Sequence, residues 1–228
     1  MKNKLILFAV FTFAIIIAGC EYDNYDPPTS FLSGNVTYNN VPVGVRSGAT
    51  QLELWQYHWD TRGVVARSKI SVYIDQDGSY SARLFDGNYK LVRLKGGPWA
   101  DQTDSISVSV SGDTKVDVPV VPFFVITSPS VTFSGGVITS TCNLTKVGTY
   151  DITSLTLYVG VTNIVDQNNS SQTHVLTTGL TDLSTPKTNT VTLSDANKAR
   201  DYVYVRLGVL SKGSSERYYS PVQKIVLP

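Results

Sequence analysis

Two histidines, His58 and His174, and two cysteines, Cys20 and Cys142, are the chain's whole supply of imidazole and thiol. No HExxH, GxSxG, P-loop or CxxC pattern surrounds them, so zinc hydrolysis lacks its ligands and nucleophilic catalysis its elbow. Separated acids can still converge in a fold as a glycosidase pair. Most of the 18 acids, however, fall at turns or at outward strand positions, where solvated charge is the default. The chain is therefore read as a non-enzyme, with no catalytic residue, no metal site and no cofactor. Asp75-Gln76-Asp77-Gly78-Ser79 has the opening of a calcium loop. An EF-hand would need a third oxygen ligand before the glycine and a later bidentate glutamate, so the segment is read as a hairpin turn. Asp104-Ser105-Ile106 fits a three-residue acceptor pattern for bacterial O-glycosylation, short enough to arise by chance.

The aromatic residues offer a different chemistry. In Leu52-Glu53-Leu54-Trp55-Gln56-Tyr57-His58-Trp59-Asp60, an unbroken strand puts Leu52 and Leu54 on one side and Glu53, Trp55, Tyr57 and Trp59 on the other. The third tryptophan, Trp99, lies in the loop Lys95 to Asp104. Flat aromatic rings pack against the C–H faces of sugars, and neighbouring Gln, Asp and His side chains bind hydroxyls. Trp55, Tyr57, Trp59 and Trp99 are thus the candidate glycan-binding residues. The alternative is that a bulge turns Trp55 into the core while Trp59 caps a sandwich edge.

These side chains need a framework, and its beginning is marked by charge and apolarity. Lys2 and Lys4 precede a run of 14 residues, Leu5 to Ala18, that is apolar apart from Thr12. That is the layout of an export signal, and the run is shorter than the roughly 20 residues a membrane-spanning helix needs. Ile17-Ala18-Gly19-Cys20 resembles a bacterial lipobox, in which the cysteine is acylated and becomes the first residue of the mature protein. Cys142 would be the only disulfide partner for Cys20. In Val137 to Leu144 it shares the parity of Ile138 and Leu144, so it reads as a small buried hydrophobe. The division expected is a signal peptide over 1–19 and a lipidated Cys20 with an acidic tether over 20–29.

Removal of residues 1–19 leaves 209 residues and takes two lysines from 19 bases against 18 acids, giving 17 − 18 = −1. A near-neutral chain has no electrostatic case for nucleic acid. Val, Thr, Ser, Tyr and Gly dominate, and strand-like runs separated by turns such as DQDG, FDGN and SGDT recur throughout. The fold class expected is all-β: two consecutive β-sandwich domains, over 30–122 and 123–228, with a boundary at PVVPFFVITSPS. Only Ser194 to Arg200 has a helical pattern, with Ser194 as N-cap.

LSGNVTYNNVPVGV followed by DQDGSYSARLFDGNYKLVRL resembles transthyretin-like and carboxypeptidase-regulatory-like sandwiches, in which Asp-Gly-x-Tyr and Gly-x-Tyr open adjacent strands. Gly78 falls where the turn wants positive φ, and Tyr80 and Tyr89 would cover a core edge. DYVYVRLGVLSKGSSERYYSPVQKIVL resembles the last strands of an immunoglobulin-like or fibronectin-type-III sandwich. Val203, Val205, Leu207 and Val209 share one face as core, Tyr202, Tyr204 and Arg206 share the other, and Tyr202 is a candidate tyrosine corner.

Together these features resemble a family of Bacteroidetes outer-membrane lipoproteins of unknown function, often encoded beside SusC/SusD-type glycan uptake systems. The resemblance implies a lipid anchor in the outer membrane facing the cell exterior, consistent with Glu21, Asp23 and Asp26 after Cys20. It implies a role as accessory to glycan capture or uptake, with a glycan and a SusC/SusD-type complex as the expected partners. The alternative is a structural or docking subunit of an uptake or adhesion complex that binds no sugar.

Overall fold

The computed structural model describes residues 26–56 and 69–228. Cys20, Tyr57 and Trp59 lie outside the described residues. The first half contains β1 (Ser30–Tyr38), β2 (Val41–Pro42), β3 (Gln51–Gln56), β4 (Lys69–Tyr73), β5 (Ser79–Leu84), β6 (Gly87–Arg93), β7 (Ser105–Val110), β8 (Asp113–Lys115) and β9 (Val118–Pro119). The second contains β10 (Phe124–Ser134), β11 (Val137–Lys146), β12 (Ile152–Gly160), β13 (Gln172–Leu176), β14 (Lys187–Thr192), α1 (Asp195–Lys198), β15 (Tyr202–Ser211), β16 (Tyr218–Tyr219) and β17 (Gln223–Val226). The protein is all-β apart from α1, whose N-cap Ser194 accepts from the Asn197 N–H. None of the described helices is long and apolar enough to cross a membrane.

In the first sandwich one sheet centres on β1, which pairs antiparallel with β2 and β5 and parallel with β8 and β9; the other runs β4-β3-β6-β7. Alternation builds this core: Val108 and Val110 of β7 face in while Ser105, Ser107 and Ser109 face out. The two tyrosines expected at the core edge are both buried, Tyr80 donating to the Val116 carbonyl at 2.6 Å and Tyr89 to that of Phe85 at 2.9 Å. Gly78, at φ 87°, closes the Asp75 turn. Asp77 accepts there from the Ser79 N–H and hydroxyl, so the segment is the hairpin turn read from the sequence. No cluster of metal-binding side chains occurs among the described residues.

The second sandwich packs β10-β11-β14 against β13-β12-β15 with β16 and β17. Val203, Val205, Leu207 and Val209 are buried as their parity demands, and Cys142 sits in the same core. Tyr202 is not a buried corner. Its ring is 38% exposed, lies edge-on to Tyr204 and sits 3.8 Å from the Lys224 ammonium, an outer-face cluster. Arg206 departs from its outward parity by being buried, because Val165, Tyr219 and Ser220 of its own sandwich and the Gln76 turn of the first close over that part of β15.

A single cluster of buried apolar side chains runs through both sandwiches, with Trp99, Val120 and Phe123 among its members at the crossover. Trp99 bridges to Pro122, and Phe123 donates its N–H to the Pro98 carbonyl at 3.0 Å.

Candidate functional site at the junction of the sandwiches

Of the aromatic residues singled out in the sequence, the two described ones, Trp55 and Trp99, do not share one platform. Leu52 and Leu54 are core, so parity sends Trp55 to the outer face of its sheet, where it is half-buried between Lys69 on β4 and Lys90 on β6. Beside it Glu53 accepts from Lys69 at 2.7 Å. Trp99 has to be corrected: it is 2% exposed, inside the core, and its indole lies so close over Gly97 that a Cβ there would meet the ring at 2.5 Å. The Gly-Gly-Pro turn lets the chain fold the indole inward, and a loop position alone did not reveal this. An exposed sugar platform therefore cannot include Trp99.

The concave feature that sequence reasoning missed lies where the two sandwiches meet. It is a cleft of about 750 Å³, of the size and place typical of small-ligand sites. One wall is the β1–β2 hairpin, with Tyr38, Asn39, Val41 and Pro42. Asn39 and Asn40 take φ of 49° and 63°, the left-handed pair that a two-residue hairpin of this twist requires. The opposite wall is the start of β10, Val125 to Pro129, and the base is Tyr218 to Pro221. β10 is an edge strand broken by a bulge between Thr127 and Ser130, and Ser128 there holds φ 49°. A serine in the left-handed region costs of order 1–3 kcal/mol, and bulges of this kind re-aim side chains at binding sites.

The cleft is mostly apolar, with a few convergent polar groups. Gln76 and Asp77 reach it from the hairpin turn, facing Thr127, Ser128 and Thr145 of the second sandwich. Gln76 donates Nε2 to the Asn163 carbonyl at 2.9 Å, while its Oε1 is buried without a partner. The Ser79 hydroxyl and N–H hold the Asp77 carboxyl below its ordinary range.

What fixes the walls is a set of bonds across the junction. The Arg206 guanidinium donates to the carbonyls of Ser220 at 2.8 Å and Val165 at 3.3 Å, and across the boundary to that of Gln76 at 2.5 Å. It stacks on Tyr219, 4.4 Å from the ring centroid. Burial lowers its pKa to about 10, which still leaves it charged at neutral pH. Gly44 accepts from the Tyr219 N–H at 2.9 Å, and Arg46 grips Glu216 through two nitrogens at 2.5 and 3.2 Å.

Residues 30–121 match the DUF3823 N-terminal domain, described as a protein of unknown function, and residues 124–224 match DUF3823_C, a domain of unknown function. The chain is similar to the crystal structure of a DUF3823 family protein from Bacteroides ovatus, at 33% identity and a TM-score of 0.79, covering 87% of this chain and all of that one. A second DUF3823 protein, from Parabacteroides merdae, is 28% identical with a TM-score of 0.78 over 88% of this chain and 100% of its own. A Bacteroides uniformis protein named for a proposed carbohydrate-binding role shares the fold at 20% identity and a TM-score of 0.71, over 88% of this chain and 100% of that one. No curated protein matches the chain.

Proposed function

The chain belongs to the DUF3823 family, whose function is unknown, and from that premise we propose that it is a non-catalytic, lipid-anchored protein of the outer membrane that captures glycans for uptake. The observation that carries this reading is the preformed cleft, in which the half-buried Tyr38 ring offers a stacking face beside the polar groups of Gln76, Asp77, Thr127 and Ser128. Two facts support it. A protein of the same fold is named for proposed carbohydrate binding. The course of β1 also matters: Ser30 is held at one pole by Asp86 and Gly112, and Tyr38 reaches the cleft at the other. Eight steps of about 3.3 Å put roughly 26 Å between them. A lipid on Cys20 would tether the chain from the Ser30 pole, with the cleft at the other end of β1, where a SusC/SusD-type partner could receive its ligand.

The test uses the soluble fragment from Glu21 onward, probed on a glycan array and in polysaccharide-loaded native gels. Retardation by at least one glycan, lost in Tyr38→Ala with an unchanged melting temperature, is expected. Absence of binding throughout would overturn the capture reading.

One observation favours a docking subunit instead: the rim is apolar on both sandwiches, with Val41 60% exposed and Pro42 and Pro221 beside it. On that reading Val41→Glu abolishes co-purification with an outer-membrane partner while no glycan binds.

A further inference from the structure

We propose that the cleft selects uncharged glycans, which bring hydroxyl donors to Gln76 Oε1 and the Asp77 carboxylate, and that it turns away uronate-rich and sulfated ones. The inference rests on the capture reading and adds the ligand's charge class to it.

Charge is the first argument. Of the described residues lining the cleft, Asp77 is the one that is charged, and no lysine or arginine lines it. Cations near it are committed elsewhere. Lys146, next to the lining Thr145, pairs with Asp151 at 3.1 Å, and Arg46 pairs with Glu216. Arg206 lies behind the wall and is 2% exposed, its Nη2 turned to the Gln76 carbonyl and its plane on Tyr219. A carboxylate or sulfate entering this space would meet the negative charge of the exposed Asp77, with no cation in the lining to offset it. Sites built for such groups use arginine forks, which the lining lacks.

Hydrogen-bond polarity is the second. Because Nε2 of Gln76 is held by the Asn163 carbonyl, the amide cannot flip without setting oxygen against oxygen, so Oε1 is the end left free. A buried acceptor without a donor is costly, and a ligand O–H placed there recovers that cost. Asp77 is likewise acceptor-only when ionised. The Thr127 and Ser128 hydroxyls can donate or accept, and Tyr38 with Val125 supplies apolar surface for a pyranose face. A ligand that suits all of these is rich in hydroxyl donors, carries no negative charge and has a flat C–H face, which describes a neutral oligosaccharide.

The experiment compares the fragment from Glu21 onward on neutral polysaccharides (starch, galactomannan, mixed-linkage glucan) and acidic ones (polygalacturonate, chondroitin sulfate, heparin). Retention on at least one neutral polymer and on none of the acidic ones is expected. Gln76→Met should weaken neutral binding about fivefold, one net hydrogen bond, without moving the carbonyl that Arg206 uses. Asp77→Asn, which keeps an oxygen for Ser79, should raise retention on polygalacturonate. Retention of the parent fragment on any acidic polymer, or neutral binding untouched by both variants, would overturn the inference while leaving glycan capture standing. Failure of every polymer to bind would remove the capture reading itself.

Discussion

The Arg206 guanidinium, carried by β15, donates to the backbone carbonyl of Gln76 in the other sandwich at 2.5 Å. This joins a buried cation to the very turn that feeds the cleft. Two further bonds to Ser220 and Val165 make the arginine a strut, satisfied by carbonyls instead of a carboxylate. Arg206→Ala should therefore strand two buried carbonyls and a half-buried one and cost about 3 kcal/mol, more than a typical surface ion pair contributes. Urea melts measure it. A loss under about 1 kcal/mol would show that the junction holds without the strut.

Gly44 faces the same junction. A Cβ built on it would sit 2.3 Å from the Tyr219 carbonyl oxygen, a backbone atom that cannot swing aside, and 3.1 Å from an Arg206 nitrogen. Gly44→Ala should push the hairpin and Tyr219 apart and cost about 1–3 kcal/mol, the range for overpacking. Amide exchange at Tyr219, whose N–H bonds to Gly44, should speed up in this variant and stay slow at Val43, which donates within its own sandwich. Equal rates in variant and parent would contradict the contact.

The two described tryptophans should separate cleanly. Trp99→Ala removes a fully enclosed indole and is expected to cost about 3–5 kcal/mol. Trp55→Ala, on the half-exposed outer face between two lysines, should cost about 1 kcal/mol. Thermal melts of both settle the comparison. A Trp99 variant as stable as its parent would remove it from the core.

Cys142 is the one cysteine of the fragment from Glu21 onward, and burial raises its thiol pKa to about 11. A folded pKa above the unfolded value of about 9 means stability that is complete below pH 9 and lost as pH climbs toward 11. The thiol should ignore a disulfide reagent at pH 8 until urea unfolds the chain. The stability difference between the parent and Cys142→Val should change between pH 9 and 11 and be flat below pH 8.

Anchoring is tested at Cys20. Cys20→Ala should abolish incorporation of an acyl-chain analogue, since no other cysteine stands at the end of the apolar run. Undiminished labelling of that variant would end the lipoprotein assignment.

Strand identity was legible in the residues because a strand's side-chain period of two is written directly in the chain: Val203 to Val209, Val108 with Val110 and Leu52 with Leu54 face in wherever alternation puts them. The turn at Gly78 and the N-cap at Ser194 were legible for the same local reason, since a positive φ or a free N–H is met by residues a few positions away. Burial across the junction was not local. Arg206 and Tyr202 share one face of β15 by parity, yet one is sealed and the other is 38% exposed, because Val165, Tyr219 and the first sandwich's Gln76 turn close over only one end of that face. Trp99 turns inward through its neighbours Gly97 and Pro122, and the cleft exists because Gln76, Ser128 and Tyr219, far apart in sequence, are brought to one place by two sheets docking. Periodicity reports which side of a strand a residue occupies, while only the packing of one domain on another decides what lies on that side.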